Sequence, residues 1–343
     1  MSDERSELLL GYPGARHLSS VMTDRVPGFL FENCFRDHSI TVFVAPAHRG
    51  KTLLMLDMAL CLDMEMPLFD RFQPLAGRQV FFMGCDAPSW DYGLQARKLC
   101  IGHGIPPEQR ALLDLAGVWR SGVKITDPTF REWLMQWKHH TSADVLFIDS
   151  HRATHGANEN DSGEMSKVWD ILKGLRDKGW CIIMAHHTGK QGEIIQQDVH
   201  AGRGSTIIND AADFIYTLNK RNRKDTRVRV ECVKGRGAAE DDDPFSFYDI
   251  ISVPSDEMVN GRPLYGLRLV APMEDAMRTL TAALADGPKD RASLMALLKA
   301  KCPEFTKNMA DVTLYRYCDN RLQELRQLGK ARPKERGVWE NVP

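Results

Sequence analysis

The segment Ala45-Pro46-Ala47-His48-Arg49-Gly50-Lys51-Thr52 brings together the residue types that bind phosphate. An apolar, β-branched run at 40–44 precedes it, and a leucine- and methionine-rich stretch at 53–62 follows. Strand, tight loop, Gly-Lys-Thr and helix form the arrangement that holds nucleotide triphosphates. Backbone N–H groups of the loop would cradle the phosphates, Lys51 would reach the β- and γ-phosphates, and the Thr52 hydroxyl would hold Mg²⁺. The expected ligands are therefore ATP and Mg²⁺. Asp149 closes the apolar run Val145-Leu146-Phe147-Ile148, where a second acidic group would organise the metal or its water shell. Ala45 stands where the phosphate-loop pattern has its first glycine. It narrows the backbone angles open to the first turn of the loop, so slower turnover is expected.

These residues need a scaffold that presents strand ends side by side. Strands are expected at 40–44, 79–83, 111–115, 145–148, 181–185, 214–218, 228–233 and 264–270. Helices are expected at 52–63, 90–102, 128–139, 164–178 and about 204–212. Several strands are near-continuous apolar runs, as in a parallel sheet covered by helices on both faces. The alternation implies an α/β fold. The later strands have no helices between them, which implies an antiparallel extension at one edge.

The run Met184-Ala185-His186-His187-Thr188-Gly189-Lys190 also ends an apolar strand, and Gly202-Arg203-Gly204-Ser205-Thr206 follows it. Together with Asn158-Glu159-Asn160-Asp161-Ser162, these motifs resemble the RepA-type hexameric helicases and related RecA-fold ATPases of plasmids and phages. The resemblance spans about residues 25–270 and implies a RecA-like P-loop NTPase core with a mostly parallel twisted sheet. It implies that His186 senses the γ-phosphate. It places a water-orienting carboxylate after the strand that follows the loop helix, where Asp86 stands and Asp91 is the alternative. The usual residue there is Glu, and Asp86 is one methylene shorter. Lys234-Gly235-Arg236 resembles the motif that ring helicases insert into a neighbouring active site. Arg236 would then be an arginine finger and Lys234 its companion, completing the site in trans. The further implication is a homo-oligomer, a hexamer, that handles single-stranded DNA. The loops at 150–163 and 188–203 would face it through Arg152, Lys190 and Arg203.

The chain divides into an N-terminal segment (1–25), the ATPase core (26–271) and a C-terminal unit (274–343). The C-terminal unit shows helical patterns at 275–285, 290–301 and 309–328, then a hairpin in the stretch 328–339. It resembles a winged helix-turn-helix domain. Such a unit would either read duplex DNA through 309–328, with Arg316, Arg321 and Arg326, or dock a primase, loader or initiator. The acidic stretch 240–244 reads as a solvated turn.

Composition sets the outer limits. With 45 Lys+Arg against 46 Asp+Glu and a net charge of −1, the 343-residue chain is not a generally basic nucleic-acid coat. Its eight cysteines lie scattered in apolar segments with no C-x-x-C pair, which argues for reduced thiols and a cytoplasmic location. No apolar run approaches the ~20 residues of a membrane helix. The leading expectation is an ATP-driven ring motor, a helicase or translocase on single-stranded DNA in replication. A filament-forming recombination or repair ATPase and a nucleotide-gated DNA-binding regulator are the alternatives.

Overall fold

A computed structural model of the chain describes residues 16, 18–24, 27–32, 34–74, 77–159, 161–187, 205–220, 225–235, 247–271, 274–306, 309–327, 331–335 and 337–342. Lys190, Arg203, Arg236, the loop 188–203 and the acidic stretch 240–244 lie outside the described residues. No helix among those described is long and apolar enough to cross a membrane.

The element order begins with the helical turn α1 (Leu18–Val21), the hairpin β1 (Phe29–Phe31) and β2 (Cys34–Arg36), and β3 (Ile40–Ala45). Next come α2 (Lys51–Asp63), β4 (Val80–Gly84), α3 (Ser89–Gly102), α4 (Pro107–Arg110) and β5 (Ala116–Val118). They are followed by α5 (Pro128–Thr141), β6 (Val145–Asp149), α6 (Ser162–Asp177), β7 (Cys181–His187), α7 (Ser205–Ala211) and β8 (Phe214–Asn219). The core closes with β9 (Arg227–Gly235), β10 (Phe247–Val253), the pair β11 (Met258–Val259) and β12 (Arg262–Pro263), and β13 (Gly266–Val270).

Nine strands form one sheet in the order β13-β10-β9-β8-β3-β7-β6-β4-β5. From β8 to β5 every neighbouring pair is parallel, and from β8 to β13 every pair is antiparallel. The α/β class and the antiparallel extension at one edge are thus both present. Alternate strand residues feed two cores. Phe43, Ala45, Phe82, Phe147, Ile183 and Ala185 pack with α2 and α3. Val42, Met83, Ile148, Ile182 and Met184 pack with α5, α6 and α7. Burial on both faces explains the continuous apolar runs.

Two strand assignments shift. The expected strand 111–115 does not form: Pro107 at the first position starts α4, and Leu112 beyond it is 79% exposed. The edge strand is β5, three residues long. β10 carries the antiparallel edge, and its run Phe247-Tyr248-Asp249-Ile250-Ile251 gives no clear strand signal because Asp249 interrupts the apolar pattern. Asp249 is fully buried and forms a two-bond ion pair with Arg227 of β9, a partner invisible to local periodicity. On the outer edge, α3 meets β13 glycine to backbone. A Cβ on Gly102 would sit 1.9 Å from the Leu267 carbonyl oxygen, so only glycine allows this approach.

The C-terminal unit runs α8 (Glu274–Ala285), β14 (Lys289–Asp290), α9 (Arg291–Lys301), α10 (Pro303–Thr306), α11 (Asp311–Gln327), β15 (Ala331–Glu335) and β16 (Val338–Asn341). Its three strands pair in the order β14-β16-β15. Its core takes in Ile251 of β10 and Val270 of β13. The Ala310 N–H donates to the Ser252 carbonyl at 3.0 Å. Arg321, 1% exposed, donates to Asp225 of the core at 3.1 Å. Arg321 is therefore not one of the exposed basic residues of the last long helix, contrary to expectation.

Candidate functional site: a phosphate loop at the strand ends

β3, β6 and β7 lie side by side in parallel and deliver Ala45, Asp149 and His187 to one end of the sheet. The loop after β3 turns through two left-handed residues, His48 (φ 62°) and Gly50 (φ 97°), and Gly50 caps α2. Ala45 is not among the residues with positive φ. It is the last residue of β3, in extended register opposite His187, and is 1% exposed. Alanine costs nothing at this position, so the expected restriction on the first turn does not arise. The left-handed demand falls on His48 and Gly50. Pro46 contributes its carbonyl, Ala47 is exposed, and Arg49 donates to the Lys220 carbonyl at 2.8 Å, tying the loop to the end of β8.

Lys51 is 4% exposed, and its ammonium donates to the carbonyls of Ala45 (2.6 Å) and Pro46 (3.0 Å). It also lies 3.3 Å from His187 Nδ1. An ammonium only donates, so in this contact Nδ1 is the accepting atom. The Nε2 of the same ring faces Asp86 Oδ2 at 3.2 Å. Lysine, imidazole and carboxylate thus form a continuous polar chain across the ends of β3, β7 and β4. Burial lowers the Lys51 pKa to about 8, against the opposing pull of Asp149 and Asp86. His187 holds the Asp86 carboxyl below its ordinary range.

The Thr52 hydroxyl donates to Asp149 Oδ2 at 2.8 Å, and the Tyr92 hydroxyl reaches the same oxygen at 3.1 Å. Asp149 is 1% exposed, and burial raises its pKa despite these two hydrogen bonds. Its Oδ1 has no partner among the described residues. A buried carboxylate oxygen left open beside a threonine hydroxyl suits a hard divalent cation, so Thr52 and Asp149 fit the expected Mg²⁺. Cys85 and Asp86 donate their N–H groups to the Asp149 carbonyl at 2.7 and 3.1 Å, locking the turn that carries Asp86 onto the end of β6.

The structure brings together Ala45, Pro46, Gly50, Lys51, Thr52, Asp86 and Asp149 from the expected set. His187 and Tyr92 join them, and the sequence assigns a role to neither. His186, the expected sensor, does not touch Lys51 or Asp86. Its side chain follows Met184 to the opposite face, where its ring lies 6.0 Å from that of His151. Burial lowers its pKa to about 4. Tyr92 gives no signal in the sequence, because its role depends on α3 folding back over β4. Asp91 accepts from Gln95 on its own helix at 2.7 Å, away from the lysine. Arg152 is exposed and ion-paired with Glu159 at 3.2 Å. Lys234 donates to the carbonyls of Asn209 and Ala212 at the end of α7, within its own chain.

A left-handed glycine opening a helix, a caged lysine, a threonine–aspartate pair and a carboxylate three strands away define a P-loop site of the ATPase type. A family model described as an AAA domain matches residues 21–193, half of the chain, and the chain belongs to that family. The matched span holds Lys51, Thr52, Asp86, Asp149 and His187. No curated protein matches the sequence. Among solved structures, one described as an ATPase domain aligns with a TM-score of 0.46 and 14% identity, covering 60% of this chain and 80% of that one.

Proposed function

We propose that this chain is a RecA-like, ring-forming motor that hydrolyses ATP to move along single-stranded DNA during replication. The polar chain Lys51–His187–Asp86 is the observation that carries the reading, because it connects a phosphate-binding cation to an exposed carboxylate. ATP entering the loop would replace the Ala45 and Pro46 carbonyls as the partner of Lys51. Asp86, ionised and open to solvent at the turn after β4, would orient the attacking water and accept its proton. His187, in contact with both groups, takes the γ-phosphate-sensing role. Bound Mg²⁺ would neutralise charge on the phosphates, with Thr52 and Asp149 as its protein-side partners.

The family resemblance extends this reading to the neighbouring subunit and to DNA. Arg236 follows the last residue of β9 in the chain and would act as a finger in the neighbouring site. Lys234, anchored to α7, would hold the end of that strand in place. Arg152, Lys190 and Arg203 would contact the DNA backbone inside a hexameric ring. The C-terminal order helix, strand, helix, helix, helix, strand, strand supports a winged helix. With Arg321 committed to Asp225, docking of a loader, primase or initiator suits it better than reading duplex DNA.

The test is subunit mixing. Lys51→Ala and Arg236→Ala chains are each expected to be inactive, and a mixture should regain part of the activity, because some interfaces then pair an intact loop with an intact finger. Single-stranded DNA should raise the wild-type rate. An Arg236→Ala chain as active as wild type, or a rate indifferent to single-stranded DNA, would rule the motor out.

A further inference from the structure

Beyond Asp149 the chain crosses to the α6 face of the sheet and enters a short 3-10 helix, His151–Thr154. His151 is 1% exposed and His155 4% exposed. Their rings are 4.6 Å apart, and the His151 ring lies 5.5 Å from Trp169 of α6. Four residues further on, Glu159 turns one carboxylate oxygen inward, while the other pairs with Arg152 at 3.2 Å. Neither ring nitrogen of His151, nor the inner oxygen of Glu159, has a hydrogen-bond partner among the described residues, and His155 has at most a loose contact with the Ala157 backbone, which leaves its other ring nitrogen open. One ligand atom from each of the three lies within 4.8 Å of the others. A buried polar atom with no partner costs about 1–3 kcal/mol, so this concentration of open nitrogen and oxygen calls for something that accepts electron pairs from all three.

We propose that His151, His155 and Glu159 form a binding site for a divalent metal ion of the zinc class, distinct from the nucleotide's Mg²⁺ position. Two imidazoles and one carboxylate suit a borderline ion, whereas Mg²⁺ takes oxygen ligands. Zinc would draw the three ligand atoms to about 3.3–3.5 Å apart, a contraction within reach of side-chain rotations. The Arg152 ion pair leaves one Glu159 oxygen engaged and aims the other inward, as partners outside the ligand set do at metal sites. Glu159 and Arg152 keep 26% and 59% side-chain exposure, which gives an ion a route in. The two positions are separated by the sheet: Asp149 points with Phe147 to the α2 face, and the imidazoles pack on the α6 face.

A second group, Asp57, Cys61 and His103, has similar spacing but is already internally bonded. His103 Nε2 and Asp57 Oδ1 meet at 2.7 Å, and the Cys61 thiol faces the Pro67 carbonyl. It reads as a core contact in which only Asp57 Oδ2 is open.

The test uses the full chain, stripped of metal with a chelator and dialysed against zinc alone. About one zinc per chain should be retained, and His151→Ala/His155→Ala should lose it. Glu159→Gln should weaken retention about tenfold or more. Cobalt(II) added to the wild-type chain, which does not depend on any variant folding, should give visible bands of a nitrogen and oxygen site. No zinc retained by wild type, equal retention by the double variant, or a sulfur-to-cobalt charge-transfer band assigning the ion to Cys61 would each overturn the proposal.

Discussion

His186 and His187 are consecutive residues on one strand, and they occupy opposite chemical worlds. His187 faces α2, between the Lys51 ammonium and the Asp86 carboxylate, with both ring nitrogens engaged. His186 faces α6, 7% exposed, near the His151 ring and with Nδ1 unpartnered. The period-two alternation of a strand puts 180° between them. A charged, connected network on one face and a group of neutral, open imidazoles on the other can therefore arise from a two-residue motif. The lesson is that the sheet works as a partition: phosphate chemistry belongs to the face that carries the loop helix, and the histidine cluster belongs to the face that does not.

The two faces should differ most in kinetics. Asp86→Asn should lower kcat for ATP by ~10²–10⁴-fold, the usual range for losing a general base. His187→Phe should lower it less, and His186→Phe should leave it unchanged. Steady-state assays of the three variants decide the matter, and equal losses from His186→Phe and His187→Phe would erase the distinction between the faces.

The next effect is electrostatic. Lys51 loses its proton at about pH 8 in the folded chain, against an ordinary 10.5. Below pH 8 both folded and unfolded chains are protonated, and the full cost of burying the charge is present. Between the two values the unfolded chain holds more protons, so stability rises with pH, by up to about 3 kcal/mol from this group. Chemical denaturation of the nucleotide-free chain at several pH values should show the rise, and Lys51→Met should remove it. ATP restores a counter-charge to the ammonium, so binding above pH 8 should take up protons. Titration calorimetry in buffers of different ionisation enthalpy measures that uptake.

Smaller effects sharpen the contrast. In the metal-free chain, His186→Phe should stabilise by ~1 kcal/mol, because it removes a buried nitrogen with no partner. His187→Phe should bring no such gain, since it severs two polar contacts. The smallest change expected is His48→Gly. A left-handed residue costs about 1–2 kcal/mol when it is not glycine, and part of that gain is offset by the freer unfolded chain. A net stabilisation below ~1 kcal/mol, read as a rise in Tm, is the expected result.

Much of this site is legible along the chain. Lys51, Thr52 and Asp149 announce themselves because their chemistry is tied to local sequence: a glycine before a lysine at the start of a helix, and an acid at the end of an apolar strand. Asp86 is reachable by strand order. Where the structure places residues differently from the local pattern, the cause is long-range. Ala45 reads as restrictive because a motif position says nothing of φ, and the fold places it in a strand. The sequence favours His186 over His187 because a strand's apolar run does not say which face the loop helix will cover. Arg321 reads as an exposed cation because its partner, Asp225, is 96 residues away in the sequence.

Local sequence sets the α/β alternation, the phosphate loop and the acid that accompanies it, since backbone propensity, side-chain period and short-range spacing act over a few residues. Which histidine meets the lysine, the reach of Tyr92 to Asp149, and the convergence of His151, His155 and Glu159 emerge only in the folded chain. Those outcomes follow from strand order and from which helix covers which face. Both are fixed by long-range packing, where a side chain's partner is set by the whole sheet and not by its neighbours in the chain.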